Sequence, residues 1–305
     1  MPVGAGSATD GMASQAGRKY QQELDAGEVI SQTFSLLRKD YPKYLVVFLV
    51  VEGILGVVSM SVSNAYPVPT LSPTATPDQA LAVLPGLVRA FLAILGVSLL
   101  ASWLIGSVAT AAAVKLASDE IEKGEASLRA SLRFTASKLI PIWAVVFLFG
   151  VLVILGFVAL IVPGIILAIM FSLAIPAVVS GNCGVLDSLG KSRELVAHRW
   201  LKTFAILLLF GIVLAVANVV ATQVASLFGA WSMMASSLIS AFYAPLVPIA
   251  LTVYYYSNAA RIAPPQALQA QPSGFGFCPS CGEPVAEMNQ SFCRKCGNDL
   301  RPRQV

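Results

Sequence analysis

The sequence predicts an all-α membrane protein of about six transmembrane helices, with three cytoplasmic interfacial amphipathic helices and a small C-terminal four-cysteine zinc ribbon. Three observations predict it. Mean hydropathy is +0.76 and only 12% of residues are charged, about half the share a globular domain carries on its surface. Nineteen of the 20 lysines and arginines fall before Tyr44, in 115–138, in 191–202 or after Asn258; Arg89 is the exception. Apolar runs separate these basic segments, and several reach the ~20 residues that a bilayer core of about 30 Å requires. The positive-inside rule then places the basic segments and both termini in the cytoplasm of a protein of the cell membrane.

In chain order, residues 1–27 are rich in Gly, Ala, Ser and Gln and read as a disordered cytoplasmic tail. They hold no apolar stretch of the secretory kind, so the first span is expected to direct insertion. Residues 28–260 form the membrane domain. Its expected spans are Tyr44–Val62, Phe91–Val114, Leu139–Val162, Gly164–Ser180, Thr203–Phe228 and Trp231–Asn258. The third and fourth meet at Pro163-Gly164 and form either a full hairpin or a re-entrant pair. The stretch Ser63–Pro85 carries five prolines and reads as an extended outer loop.

Each pair of spans is preceded by a basic stretch with apolar residues at helical spacing, which suggests a threefold repeat. In the first, Ile30, Phe34, Leu37 and Tyr41 share a face opposite Arg38, Lys39 and Lys43. In the second, Leu128, Leu132, Thr135 and Leu139 oppose Arg129, Arg133 and Lys138. In the third, Val185, Leu189, Val196 and Trp200 oppose Lys191, Arg193, Arg199 and Lys202. Such helices suit the bilayer interface, apolar face in the acyl boundary. Lys191, Arg193, Arg199 and Lys202 are the candidate contacts to anionic headgroups.

Residues 261–276 are a linker and 277–300 the ribbon. Cys278-Pro-Ser-Cys281-Gly and Cys293-Arg-Lys-Cys296-Gly put four thiolates on two tight turns. That donor set closes a tetrahedral shell around structural zinc and leaves no position for a catalytic water. So short a segment has little core of its own, and metal binding supplies its folding energy. A membrane-tethered ribbon is expected to bind protein or lipid headgroups rather than nucleic acid.

Glu52 is the one acid well inside an expected span. An ionisable group at mid-bilayer costs about 2.5–3.5 kcal/mol on insertion scales, so it is expected to face a bundle interior or a cavity. Asn218 and Gln223 add polarity to the fifth span, and Arg89 is a candidate partner for Glu52. Small-residue stripes (Ser98, Ser102, Gly106, Thr110 and Ala217, Ala221, Ala225, Gly229) predict close helix packing. There is no P-loop, no G-x-S-x-G and no histidine cluster, His198 being the only histidine; the chain is expected not to be an enzyme.

The run from Ile161-Val-Pro-Gly to Ile175-Pro-Ala-Val-Val, the segment Leu186-Asp-Ser-Leu-Gly-Lys-Ser-Arg-Glu-Leu-Val and Trp200-Leu-Lys-Thr-Phe resemble the membrane domain attached to some glycerophosphoryl diester phosphodiesterases. That domain also occurs alone in many prokaryotic membrane proteins. The resemblance is clearest over 139–228. It implies no diesterase activity, because the catalytic barrel has no counterpart here. Residues 277–300 are similar to zinc ribbons appended to archaeal and bacterial membrane proteins. Function reads first as a non-enzymatic scaffold or regulator that docks a cytoplasmic partner through the ribbon. Two alternatives stay open: a transporter or channel using Glu52, Asn218 and Gln223, and a lipid-binding protein using the basic helices.

Overall fold

The computed structural model describes residues 23–69, 76–262 and 295–296. The chain divides into two compact units, Met1–Ile262 and Ala263–Val305. Of the second, only the turn at Lys295 and Cys296 is described; Cys278, Cys281 and Cys293 lie outside the described residues. The described part of the first unit is helical throughout, with no strand. Five helical stretches are long and apolar enough to cross a membrane: Ala26–Ala65, Leu81–Lys123, Leu139–Ala159, Ile161–Val179 and Trp200–Ser226.

The elements are α1 (Ala26–Ala65), α2 (Pro77–Ala101), a π-helical turn (Ser102–Gly106), α3 (Ser107–Lys123), α4 (Leu128–Ser137), α5 (Leu139–Ala159), α6 (Ile161–Met170), α7 (Ala174–Val179), α8 (Val185–Val196), α9 (Trp200–Ser226), a 3₁₀ turn (Gly229–Trp231), α10 (Ser232–Ser240) and α11 (Leu246–Ile262). The threefold pattern is present in the backbone. The residue that opens each long apolar helix lies outside the helical region: Asp40 (φ −117°, ψ 24°), Lys138 (φ −116°, ψ 18°) and Arg199 (φ −130°, ψ 24°), the last preceded by the non-helical Ala197 and His198. In the first repeat Pro42 accompanies the break, and the two helices run together as a kinked α1.

Burial follows the same register. Seven residues before each junction stands a fully buried hydroxyl: Thr33, Ser131 or Ser192. Four residues after it Tyr44, Ile142 and Thr203 are buried, and seven after it Val47, Val145 and Ile206. The short helices turn small hydroxyl residues inward, joined in α8 by Leu189 and Val196, while large apolar residues of the first two helices face outward. Phe34 is 47% exposed and Leu132 40%. Small residues permit close helix approach, and a hydroxyl can satisfy itself on its own helix: Thr33 donates to the Val29 carbonyl at 2.7 Å and Thr135 to the Ser131 carbonyl at 2.9 Å.

The returning helices α3, α7 and α11 pack against one another at the centre. Ala112, Leu116, Ala117, Ala177, Ile249 and Val253 are all essentially inaccessible there. Lysines bridge successive repeats around this core. Lys43 donates to the Ala126 carbonyl ahead of α4, Lys138 to Asn182 ahead of α8, and Lys202 to the Leu24 carbonyl ahead of α1. The three bonds close a ring at the basic end.

Three sequence expectations change. Residues Pro77–Pro85 are helical rather than an extended loop, because Thr76 and Gln79 form a capping box and Pro77 occupies the first helical turn. The turn between α5 and α6 is at Leu160, in extended conformation, and Pro163-Gly164 opens α6. Gly164 serves packing instead: a Cβ on Gly156 would lie 2.8 Å from its Cα. The segment Trp231–Asn258 is not one continuous helix. It breaks over 241–245, where Pro245 and Pro248 lack the N–H groups that the carbonyls of Ala241 and Ala244 would meet in a helix.

Candidate functional site

The break in that last segment lies beside Glu52. Glu52 is half-buried on α1, within hydrogen-bonding reach of Ser240 at the end of α10. Tyr243, inside the break, lies in the electrostatic range of Glu52 and meets the Asn218 side chain of α9. Gly56, one turn along α1, makes the approach of α1 to α10 possible: a Cβ there would stand 3.0 Å from Met234 Sδ and Ser237 Cβ. Beyond that contact the helices part around an open cleft of about 390 Å³, lined by Ser59, Thr222, Ser226, Ser232, Ser236 and Ser237 together with Ala225 and Met233.

The result is a half-exposed seam of hydroxyls, one amide, one phenol and one carboxyl group. Its donors are neutral and its acceptors are oxygens. Among the described residues that line it there is no lysine or arginine. It is suited to a proton or a small cation, and unsuited to an anion.

Of the sequence-predicted residues, Glu52 and Asn218 both approach Tyr243, Asn218 from an exposed position on α9. Gln223 is exposed on α9 and does not line the cleft. Arg89 does not reach Glu52; its guanidinium lies over the Tyr66 ring, 5.7 Å from the centroid. The four proposed headgroup cations are differently placed. Arg193 is exposed and Lys191 pairs with Glu194 at 3.1 Å, but Arg199 and Lys202 both hold Glu23, at 2.6 and 3.0 Å. Burial opposes ionisation of Glu23, yet the Lys202 and Arg199 charges outweigh it and keep that carboxyl below its ordinary range. No group of three or more His, Cys, Asp or Glu that could hold a metal occurs among the described residues.

Sequence reasoning missed the hydroxyls of α10. Their signal is legible in retrospect: Ser232, Ser236, Ser237 and Ser240 recur at helical spacing, and Thr222 and Ser226 sit four apart on α9.

Residues 126–261 match the family model of a domain of unknown function, DUF7847. The match covers the second and third repeats and leaves out α1, so it includes the α9 and α10 walls of the seam but not Glu52. No curated protein and no solved structure matches the chain.

Proposed function

We propose that this protein is a membrane transporter or channel that moves a small cation along the seam between α1, α9 and α10, with Glu52 as its binding group. The observation that carries this reading is the convergence of the one acid inside α1's apolar stretch with a hydroxyl-lined cleft and a proline-broken helix. In hydrocarbon, irregular backbone is tolerated where it is buried in protein or lines a water-filled cavity, and the break over 241–245 would expose carbonyls to such a path.

In this reading the lysine-ringed end faces the cytoplasm with both termini, the short basic helices lie at the interface, and the broken segment counts as the sixth span. The four ribbon cysteines hold a structural zinc, on the chemistry of the donor set, and give the transporter a cytoplasmic docking module. Metal analysis of the purified chain tests this part: one zinc per chain is expected, with loss on changing Cys278 and Cys281 to Ser, and retention of the metal in that variant would refute the four-thiolate site.

The transport reading is tested in proteoliposomes. Under an imposed cation or proton gradient the wild type is expected to support flux that Glu52→Gln, which keeps the shape and removes the ionisable group, reduces severalfold. Equal flux in both would remove Glu52 from the mechanism; absence of flux for protons and for each alkali cation would sink the reading.

A further inference from the structure

On α1 a row of residues four apart winds past Glu52, turning about 40° round the helix at each step: Asp40, Tyr44, Phe48, Glu52, Gly56, then Ser59. At 1.5 Å per residue the row from Asp40 to Ser59 measures about 28 Å, close to the ~30 Å of a bilayer core. Every position on it is polar or small except Phe48, which is 5% exposed and packed in the apolar core with Val47, Val51, Ala109, Ala112 and Ile249.

Below Phe48 lies a second group of buried polar side chains. Asp40 has one carboxylate oxygen on Lys43 and the other, buried, without a partner. Glu120 of α3 faces Asp40 and is held by Lys39. The fully buried Tyr44 hydroxyl also has no hydrogen-bond partner and lies in electrostatic range of both carboxylates. Two buried polar groups without a hydrogen-bond partner, one of them on a carboxyl within reach of Glu120, are a standing cost to the fold. They are explained if a solvent species occupies that space during function. Lys39 and Lys43 keep 59% and 38% of their side chains exposed, so this inner group opens to the solvent at the basic end.

Building on the transport reading above, we propose that the species carried is the proton and that Phe48 is the gate between an inner Tyr44–Asp40–Glu120 site and the outer Glu52 site. No polar side chain bridges the layer on this face between Tyr44 and Glu52, so a hydrated metal ion finds no ligands there. A proton needs only a transient file of water. Apolar constrictions of this kind close by dewetting and open when water enters. When Phe48 swings aside, the Glu52 O–H bond breaks as water forms a new O–H bond. Each water in the file passes one proton on, and the last proton forms an O–H bond on Asp40. Its return to bulk water leaves both carboxylates ready, with no redox step. The charged and titratable groups facing these sites are Tyr243 at Glu52, and Lys39, Lys43, Glu120 and Tyr44 at Asp40.

The experiment uses the full chain in proteoliposomes loaded with a pH-sensitive dye, under a pH gradient with potassium and valinomycin clamping the potential. Phe48→Ala removes the plug and is expected to raise proton entry severalfold over wild type, while sodium entry, read with a sodium dye, stays at the level of empty vesicles. Adding Glu52→Gln to Phe48→Ala should return proton entry to baseline. If Phe48→Ala does not reconstitute, Phe48→Leu, which removes the ring and keeps an apolar side chain, carries the same test with a smaller rise. Proton entry unchanged in the gate variants, alongside Glu52-dependent flux of another cation, overturns the proton gate and leaves the transport reading standing. Equal opening to sodium and protons overturns the proton assignment. No Glu52-dependent flux in any variant removes both.

Discussion

At its basic end the helical body is dense and clasped, whereas toward the other end α1, α9 and α10 separate around an open cleft that carries hydroxyls. The same helix serves both. In its first half α1 buries Val29, Thr33, Leu36, Tyr44, Val47 and Phe48 against neighbours on several sides; beyond Glu52, Gly56 is its one buried residue. The difference follows from what surrounds each half. At the basic end the three short helices, the three return helices and the three lysine bridges converge, and an error in packing there has nowhere to relax. Toward the opposite end most large apolar side chains are exposed, Val158 and Leu160 at 78% and 69% among them, and a lipid tail is as good a neighbour as another leucine.

The contrast predicts very different responses to truncation. Leu116 of α3 is fully buried at the centre of the three return helices, and Leu116→Ala is expected to cost about 2–5 kcal/mol from lost burial and a cavity that its helix neighbours cannot fill. Leu208, on the apolar surface of α9 and 49% exposed, is the matched control, with an expected change within about 0.5 kcal/mol for Leu208→Ala. Thermal unfolding in detergent measures both. Equal losses at the two sites would mean that the two ends are not energetically distinct.

Legibility in the sequence divides along the same line. The basic-end architecture was readable because charge and periodicity mark it: Arg38, Lys39 and Lys43, then Arg129, Arg133 and Lys138, then Arg193, Arg199 and Lys202 announce three entries, and the structure puts a backbone break inside each cluster. Which residues fill the inner faces was not readable: periodicity ranks residues by hydrophobicity, whereas the small hydroxyls Thr33, Ser131 and Ser192 turn inward because they allow close approach. The seam was half visible. Glu52 and Asn218 stand out in apolar runs, but Ser232, Ser236, Ser237 and Ser240 are compatible with any helix until α1 and α9 are brought beside them. Pro245 and Pro248 lack the N–H groups a continuous helix needs, and the helix stops there. At Pro163-Gly164 the Pro-Gly signal misled, because a proline in the first turn of a helix costs no hydrogen bond and a glycine can serve packing instead of turning.

The basic end has one element that does not belong to a helix, and it gives the smallest effect. Residues Glu23 and Leu24 are strapped across the third repeat: Glu23 on Arg199 and Lys202, the Leu24 carbonyl on Lys202 at 2.7 Å, and the Leu24 N–H on Ser257 Oγ at 2.9 Å. The ring of lysine bridges closes only through this strap. Because the folded state holds the Glu23 carboxyl below its ordinary value of 4.5, the unfolded chain binds the proton more readily there. The contribution is therefore complete above about pH 4.5 and is lost as pH falls through the lower, folded value. Partial exposure limits it to roughly 0.2–1 kcal/mol. Glu23→Gln should lower the unfolding temperature slightly at pH 7 and leave it unchanged from wild type in strong acid, where the wild-type carboxyl is itself neutral. A deficit that persisted undiminished into acid would assign the strap's stability to the buried Leu24 and its backbone bonds, and the ring would then close through the main chain without help from charge.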